Sequence, residues 1–246
     1  MNKIKIKSNF DNAANNYDNY SDVQKFSASE LVKYLNYLNY DYNNRKIIDI
    51  GCGNSFLSKI LNNNIVNLDI SRNMLMNNCN NSLKIQADMD YLPVKLKYFD
   101  LVISNFSFQW SKNIEELIIK LASNIAKDKI LLFAIPNSNS INELKHASRL
   151  SNCNFSFNKL PTHSNIYKYI SKQNFKKIYS KEVKYVEKYD NPIAALKKIK
   201  KIGANYSNKL TAYINRSNFD LFTNYRNCAK DNFTLSWSIS IFICIK

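Results

Sequence analysis

Apolar residues follow two different spacings along this chain, and the two spacings predict strands and helices in alternation. Apolar runs of strand length lie at residues 46–50, 65–70, 83–88, 99–106 and 129–135. Stretches that suit helices lie between several of these runs, at 55–62, 71–80 and 113–126. Strands that alternate with helices predict an α/β fold with a parallel sheet covered on both faces.

The two ends of the chain follow other patterns. Apolar positions recur at helical spacing near the beginning, which predicts N-terminal cap helices over residues 10–40. Residues 176–189 suit a strand and residues 191–204 suit a helix. The last segment, FTLSWSISIFICIK, alternates apolar and hydroxyl side chains and predicts a long strand, antiparallel to its neighbour. No repeat or linker divides the chain, so we expect one domain over residues 1–246.

Composition places further bounds on function. The chain has 246 residues and a formal net charge of +16. That charge fits a polyanionic partner or a lysine-rich solvated surface, and composition leaves both open. Five cysteines without C-x-x-C spacing and only two histidines give a zinc site few ligands, so we expect no metal and reduced thiols. The N-terminus lacks the apolar region of a signal peptide and no apolar run could cross a bilayer, so we expect a cytoplasmic protein without a membrane partner.

The stretch IIDIGCGNS, residues 47–55, carries the first chemical signal. It joins a predicted strand to a predicted helix through Gly51 and Gly53, which is a nucleotide-binding arrangement. Glycine allows a ligand to approach the backbone, and the helix N-terminus offers amide hydrogens. Asp69 ends the next strand, where a carboxylate can accept both ribose hydroxyls.

The acid before the glycines discriminates between two classes of nucleotide. The dinucleotide fingerprint needs a third glycine, but Phe56 and Leu57 stand there instead. Asp49 at the strand tip would repel a pyrophosphate and favour a ligand with an ammonium or sulfonium group. S-adenosylmethionine has both groups and a ribose, so it is the cofactor that the sequence favours.

Polar residues after the next two strands extend this site. Asp88 ends the third predicted strand, where it could accept a hydrogen bond from an adenine amino group, and the Met89 amide could bind a ring nitrogen. Asn105 follows the fourth strand, where the methyl donor's sulfur should lie. In open α/β sheets ligands lie at these strand ends. The predicted cofactor-binding set is Gln24, Asp49, Gly51, Cys52, Gly53, Asp69, Ile70, Asp88, Met89 and Asn105.

Five segments together resemble the malonyl-[acyl-carrier protein] O-methyltransferases of biotin synthesis, a family of class I S-adenosylmethionine-dependent methyltransferases. The segments are FDNAANNYDNYSDVQ at 10–24, LDISRNML at 68–75, SNFSFQW at 104–110, SNSINEL at 138–144 and LKKIKKIGAN at 196–205. The resemblance covers nearly the whole chain. This sequence departs from the family at Asn54 and Ser55, where members usually have Thr-Gly, and it matches poorly at 145–165.

The resemblance implies a Rossmann-like fold with a seven-stranded, mostly parallel sheet, its last strand antiparallel. It also implies a donor-binding core at 45–136 and helical lid insertions at 137–175 and 190–228. The implied reaction is methylation of the free carboxylate of a malonyl thioester on acyl-carrier protein, an acidic partner that suits the positive charge. Nucleic acid is not expected as a partner, and we expect a monomer.

The resemblance also suggests residues for the acceptor end of the site. Tyr17 could orient the methyl group or the carboxylate, although an aromatic residue of the core would look the same. Gln109 and Trp110 could wall the acceptor pocket. Arg149 is the catalytic candidate to meet the carboxylate, with Arg226 as a second; solvated arginines would look the same.

Two other functions remain open at this stage. One is methylation of a quinone or an RNA, the latter favoured by the charge although no aromatic-basic patch is visible. The other is a donor-binding protein like the mitochondrial complex I assembly factors, which share S-N-x-x-x-x-W but lack the F-x-x-A-A-x-x-Y opening.

Overall fold

All seven predicted strands are present in a single sheet. The computed structural model describes residues 2–61, 63, 65–77, 82–152, 159–201, 219–228 and 233–246. The strands are β1 Ile47–Ile50, β2 Ile65–Asp69, β3 Lys84–Gln86, β4 Leu101–Asn105, β5 Ile130–Pro136, β6 Lys177–Tyr189 and β7 Phe233–Ile245. Their order is β3-β2-β1-β4-β5-β7-β6, and only β7 runs antiparallel to its neighbours. The prediction of a mostly parallel sheet with an antiparallel last strand is therefore confirmed.

The helices differ from their predicted bounds mainly at the N-terminus. There the helical segment begins at Lys3 rather than at residue 10, and Asn2 caps it by accepting a hydrogen bond from the Lys5 amide. The helix predicted at 71–80 is seen as one short turn, with residues 78–81 outside the described part. The helices are α1 Lys3–Ala13, α2 Tyr17–Tyr20, α3 Asp22–Tyr37, α4 Phe56–Leu61, α5 Arg72–Met76, α6 Ile114–Asn124, α7 Asn142–Leu150, α8 His163–Ser171, α9 Pro192–Lys201 and α10 Phe219–Cys228.

The sheet is buried on both faces because alternate residues of its parallel strands enter two different apolar cores. Ile47 of β1 packs in one core with α3 and α4, and Ile48 packs in the other with α6 and α8. Strand β5 is buried along its whole length. This explains why the central strands read as continuous apolar runs rather than as alternating ones. No helix in the described ranges has the length and apolarity needed to cross a bilayer.

The turn after β1 depends on its two glycines for different reasons. Gly51 has φ +74°, and a Cβ there would lie 2.3 Å from Cβ of Ser107, far inside contact distance. Gly53 has φ +52°, but a Cβ there would meet only a ring carbon of Tyr17 at 3.8 Å. Gly51 is therefore required by the packing of the turn against the β4 end, whereas Gly53 is required only by its backbone conformation.

A third residue in this turn has a left-handed conformation without being glycine. Ser55 has φ +59° and is fully buried, and its amide donates to the Cys52 carbonyl at 2.9 Å. A non-glycine residue in this region costs about 1–2 kcal/mol. The departure from Thr-Gly noted in the sequence therefore strains the turn itself, and Ser55 does not line the neighbouring cavity.

We predict that Gly51→Ala lowers the free energy of unfolding by about 2–5 kcal/mol, because strain at positive φ adds to the clash with Ser107. Gly53→Ala is the matched control and should cost about 1 kcal/mol, since only the backbone term applies. Urea unfolding of the three proteins measures the difference. Equal losses for the two variants would contradict the separate roles.

We predict that Ser55→Gly raises the free energy of unfolding by about 0.5–1 kcal/mol, because glycine adopts this conformation without strain. Ser8→Gly on the exposed side of α1 is the control and should lower it by about 0.5 kcal/mol. Thermal unfolding of both variants tests the sign. A destabilised Ser55→Gly protein would show that the serine side chain contributes more than its strain costs.

Candidate active site

A large cavity opens at the carboxyl ends of β1, β2 and β4. It contains about 760 Å³ of empty space, counted together with the open solvent that enters it. The structure brings the entire predicted cofactor-binding set to its wall, together with Tyr17 and Trp110. These residues are Tyr17, Gln24, Asp49, Gly51, Cys52, Gly53, Asp69, Ile70, Asp88, Met89, Asn105 and Trp110.

Asp49 presents an unpartnered acid to this cavity. Its side chain is only 2% exposed, and its Oδ1 atom accepts no hydrogen bond. Burial, and then the neighbouring Asp69, raise the pKa of Asp49 well above its usual value. A buried carboxyl group without a partner is costly, so the site is suited to a ligand that brings a positive charge.

Asp69 has a structural role that its sequence position did not reveal. Its Oδ2 accepts a hydrogen bond from the Gly53 amide at 2.9 Å, and its Oδ1 accepts one from the Ser71 amide at 2.8 Å. Burial raises the pKa of Asp69 to about 6, although these amide bonds oppose the shift. The carboxylate thus joins the glycine turn to the end of β2, and each oxygen keeps a second acceptor position for a ligand hydroxyl.

Asp88 is joined to a residue that sequence reasoning did not single out. The Lys3 ammonium lies 2.8 Å from Asp88 Oδ1 and 2.8 Å from Asp90 Oδ2. Asp88 Oδ1 also accepts the Asp90 amide at 3.0 Å. Oδ2 of Asp88 is therefore the oxygen left for the predicted adenine amino group, and Lys3 itself lines the cavity.

The N-terminal helices form the roof of the cavity. Ile6 and Phe10 of α1 line it, and Phe10 packs edge-on against Trp110 with 5.5 Å between ring centroids. At the other end of α1, Asp11 Oδ1 accepts hydrogen bonds from the Ser71 hydroxyl and the Asn73 amide. No described residue after position 136 lines the cavity. The predicted lid insertions lie partly outside the described residues, at 153–158 and 202–218, so their role stays a prediction.

Tyr17 stands at the methionine end of the predicted donor site. Its ring stacks on Phe56 at 6.2 Å, and it is 9% exposed. Burial, followed by the nearby Asp69 and Asp18, raises the pKa of Tyr17 far above its usual value. The phenol therefore stays neutral at physiological pH and can donate a hydrogen bond, but it does not supply a base.

Asn105 and Gln24 join β4 to α3 at the same end of the cavity. The Asn105 side-chain amide donates a hydrogen bond to the main-chain carbonyl oxygen of Gln24 at 2.9 Å. The side-chain oxygens of both residues are buried without hydrogen-bond partners. These two oxygens are free to accept hydrogen bonds from a ligand.

The other predicted catalytic residues are placed differently. Gln109 donates from its side-chain amide to the Phe106 carbonyl at 2.7 Å and does not line the cavity. Arg149 is exposed near the end of α7, and Arg226 is exposed on α10. Neither arginine lines the cavity, so their contact with an acceptor stays a prediction without support from this geometry.

The donor set of the cavity suits an organic cation rather than a metal ion. The described residues contain no cluster of three or more histidine, cysteine or acidic side chains that could hold a metal. The unpartnered Asp49 oxygen, the glycine turn and the acids after β2 and β3 fit the ammonium, backbone and ribose-adenine parts of S-adenosylmethionine. The residues present therefore fit this methyl donor.

One family model matches the sequence of this chain, and solved structures resemble its fold. A family model described as "Methyltransferase domain" matches residues 48–133, which span β1 to β5. The YcgJ protein of Bacillus subtilis has a similar structure, with a TM-score of 0.63, 12% identity and coverage of 89% of this chain and 98% of that one. Phosphoethanolamine N-methyltransferase 2 of Haemonchus contortus, solved with S-adenosyl-L-methionine, matches with a TM-score of 0.54 at 15% identity over 89% of this chain and 52% of that one.

Sequence relatives are more specific. A malonyl-[acyl-carrier protein] O-methyltransferase of Buchnera aphidicola is 31% identical, over 84% of this chain and 83% of the relative. One of Ilyobacter polytropus is 30% identical, over 89% of this chain and 82% of the relative. This identity extends over most of both proteins, so the chain belongs to the malonyl-[acyl-carrier protein] O-methyltransferase family.

Proposed function

We propose that this protein transfers the methyl group of S-adenosylmethionine to the free carboxylate of a malonyl thioester on acyl-carrier protein. The product, a methyl ester, would be the primer from which the biotin precursor is built. The observation that carries the proposal is the buried, unpartnered Asp49 oxygen in a cavity of a chain from this family. Membership of the family supplies the acceptor, and the cavity supplies the means of holding the donor.

The donor would be held at three points. Asp49 would receive its ammonium group, Asp69 its ribose hydroxyls and Asp88 its adenine amino group. Gly51 and Gly53 would let the backbone approach the methionine part. Bound there, S-adenosylmethionine supplies an electrophilic methyl group that a carboxylate can attack.

The reaction needs little from acid–base groups. A malonyl carboxylate has a pKa near ~4 and is already ionised at neutral pH, so no base must remove a proton. The neutral phenol of Tyr17 is consistent with this requirement. What the protein must supply is orientation and exclusion of water, to which the aromatic side chains of Phe10, Tyr17 and Trp110 contribute.

Methyl transfer tests the proposal directly. The protein is incubated with donor carrying a labelled methyl group and with malonyl-carrier protein. We expect a base-labile methyl ester on the malonyl carrier and none on the acetyl carrier, which has no free carboxylate. Label on the acetyl carrier, or none on the malonyl carrier, would contradict the proposed reaction.

We predict that donor affinity rises about tenfold between pH 5 and pH 7. Without donor, Asp69 holds a proton below a pKa of about 6, whereas the ionised carboxylate can accept hydrogen bonds from both ribose hydroxyls, so donor binding favours the ionised form. Binding therefore releases protons, and raising the pH through this window strengthens it. Calorimetric titration at several pH values measures the slope.

Two variants separate this effect from general changes with pH. Asp69→Asn should weaken donor binding and reduce the slope between pH 5 and pH 7, since one of the two raised carboxyl groups is gone and only Asp49 remains. Asp41→Asn, on an exposed loop, should leave both unchanged. An unaltered slope in Asp69→Asn would show that another group controls the dependence.

A further inference from the structure

The acceptor's negative charge must meet a cation. Arg149 and Arg226, the two arginines that the sequence suggests for this role, do not line the cavity. Among described residues that line it, Lys3 is the only lysine or arginine. Its ammonium is already paired with Asp88 and Asp90 at the opposite, adenine end. The cation for the acceptor must therefore be sought on the rim rather than in the wall.

Two lysines lie beside Phe56, a residue of the cavity wall, although neither lysine lines the cavity itself. Phe56 lines the cavity and stacks on Tyr17, which itself lies above the Gly53 turn. The Lys25 ammonium lies 5.5 Å from the centre of the Phe56 ring, and the Lys59 ammonium lies 5.6 Å from it. Two positive charges thus lie against an aromatic side chain that lines the cavity and stacks on Tyr17.

Lys25 is the less neutralised of the two. Its ammonium donates to the Asp18 main-chain oxygen, and no carboxylate of the described residues pairs with it. Lys59 lies 3.6 Å from Asp18 Oδ2, and both side chains of that pair are more than two-fifths exposed. Exposed pairs of this kind contribute little, so Lys59 also remains able to attract an anion.

We propose that Lys25, assisted by Lys59, is the cation that receives the acceptor's carboxylate at the mouth of the cavity. This role rests on the proposed function and adds the residue that selects an anionic acceptor. A rim position suits the task, because a lysine bonded directly to the attacking oxygen would make it a weaker nucleophile. Lys25 follows Gln24 in the sequence, and Gln24 lines the cavity and has a buried side-chain oxygen without a partner.

The test compares KM and kcat for wild-type protein and four variants: Lys25→Gln, Lys25→Arg, Lys59→Gln and Lys33→Gln. Lys25→Gln keeps a donor for the Asp18 carbonyl but loses the charge, and we expect its KM for the malonyl acceptor to rise about tenfold with kcat nearly unchanged. Lys25→Arg keeps the charge and should retain the wild-type KM. Lys33→Gln is the control on the same helix, because Lys33 is exposed and pairs with Glu30 away from the cavity.

Two acceptors identify the anion that Lys25 receives. Malonyl-carrier protein has a carboxylate, a phosphodiester and an acidic surface, whereas malonyl N-acetylcysteamine has only the carboxylate. We expect the Lys25→Gln effect on both. A defect confined to the carrier protein would assign Lys25 to the phosphodiester or the carrier surface and overturn the proposal.

Other outcomes are equally decisive. Donor affinity and unfolding temperature are measured for every variant, so that a folding defect in Lys25→Gln is recognised; Lys25→Arg and Lys59→Gln then carry the test. A folded Lys25→Arg protein with a raised KM, or Lys25→Gln with wild-type KM, would overturn the role of Lys25. Wild-type protein that methylates neither acceptor would instead overturn the proposed function.

Discussion

The site is organised by two carboxyl groups buried side by side at the tips of β1 and β2. Burial raises the pKa of both Asp49 and Asp69, and the neighbouring Asp69 raises the pKa of Asp49 further. Asp69 is partly compensated by the amides of Gly53 and Ser71, whereas Asp49 has an oxygen with no partner. Such an arrangement is unfavourable in isolation and becomes favourable when a cation binds. The protein therefore carries a cost that its ligand relieves.

The surroundings of this acid pair are arranged by charge along the cavity. At the end formed after β3, Lys3 of α1 pairs with Asp88 and Asp90. At the other end, Lys25 and Lys59 flank Phe56. The cavity thus has one neutralised lysine in its wall, and two less neutralised lysines lie against another of its wall residues. This division fits a reaction between a cationic donor and an anionic acceptor.

The fold was largely predictable because its signals are local. The apolar runs of β1, β4 and β5 are buried on both faces, and the alternation of β7 is that of a long antiparallel strand. The predicted ends of the strands are then enough to place Asp49, Asp69, Asp88 and Asn105 at one edge of the sheet, and no contact between distant residues has to be known. These residues were found because a parallel sheet brings its carboxyl ends together.

Contacts between distant segments were not predictable in the same way. The pairing of Lys3 with Asp88 spans 85 positions, and the need for Gly51 comes from Ser107, which belongs to a different strand end. The sequence does not distinguish Lys25 from the other lysines, because its position against Phe56, a residue of the cavity wall, is visible only in the structure. Arg149 was chosen for its chemistry alone, and α7 leaves it exposed away from the cavity.

The central claim is that Asp49 recognises the positive charge of the donor's amino-acid part. Calorimetry with S-adenosylmethionine and with 5′-methylthioadenosine, which lacks that ammonium group, tests it in wild-type protein and in Asp49→Asn. The account predicts that Asp49→Asn weakens binding of S-adenosylmethionine at least tenfold and leaves binding of methylthioadenosine nearly unchanged. Equal weakening of both ligands, or of neither, would contradict it.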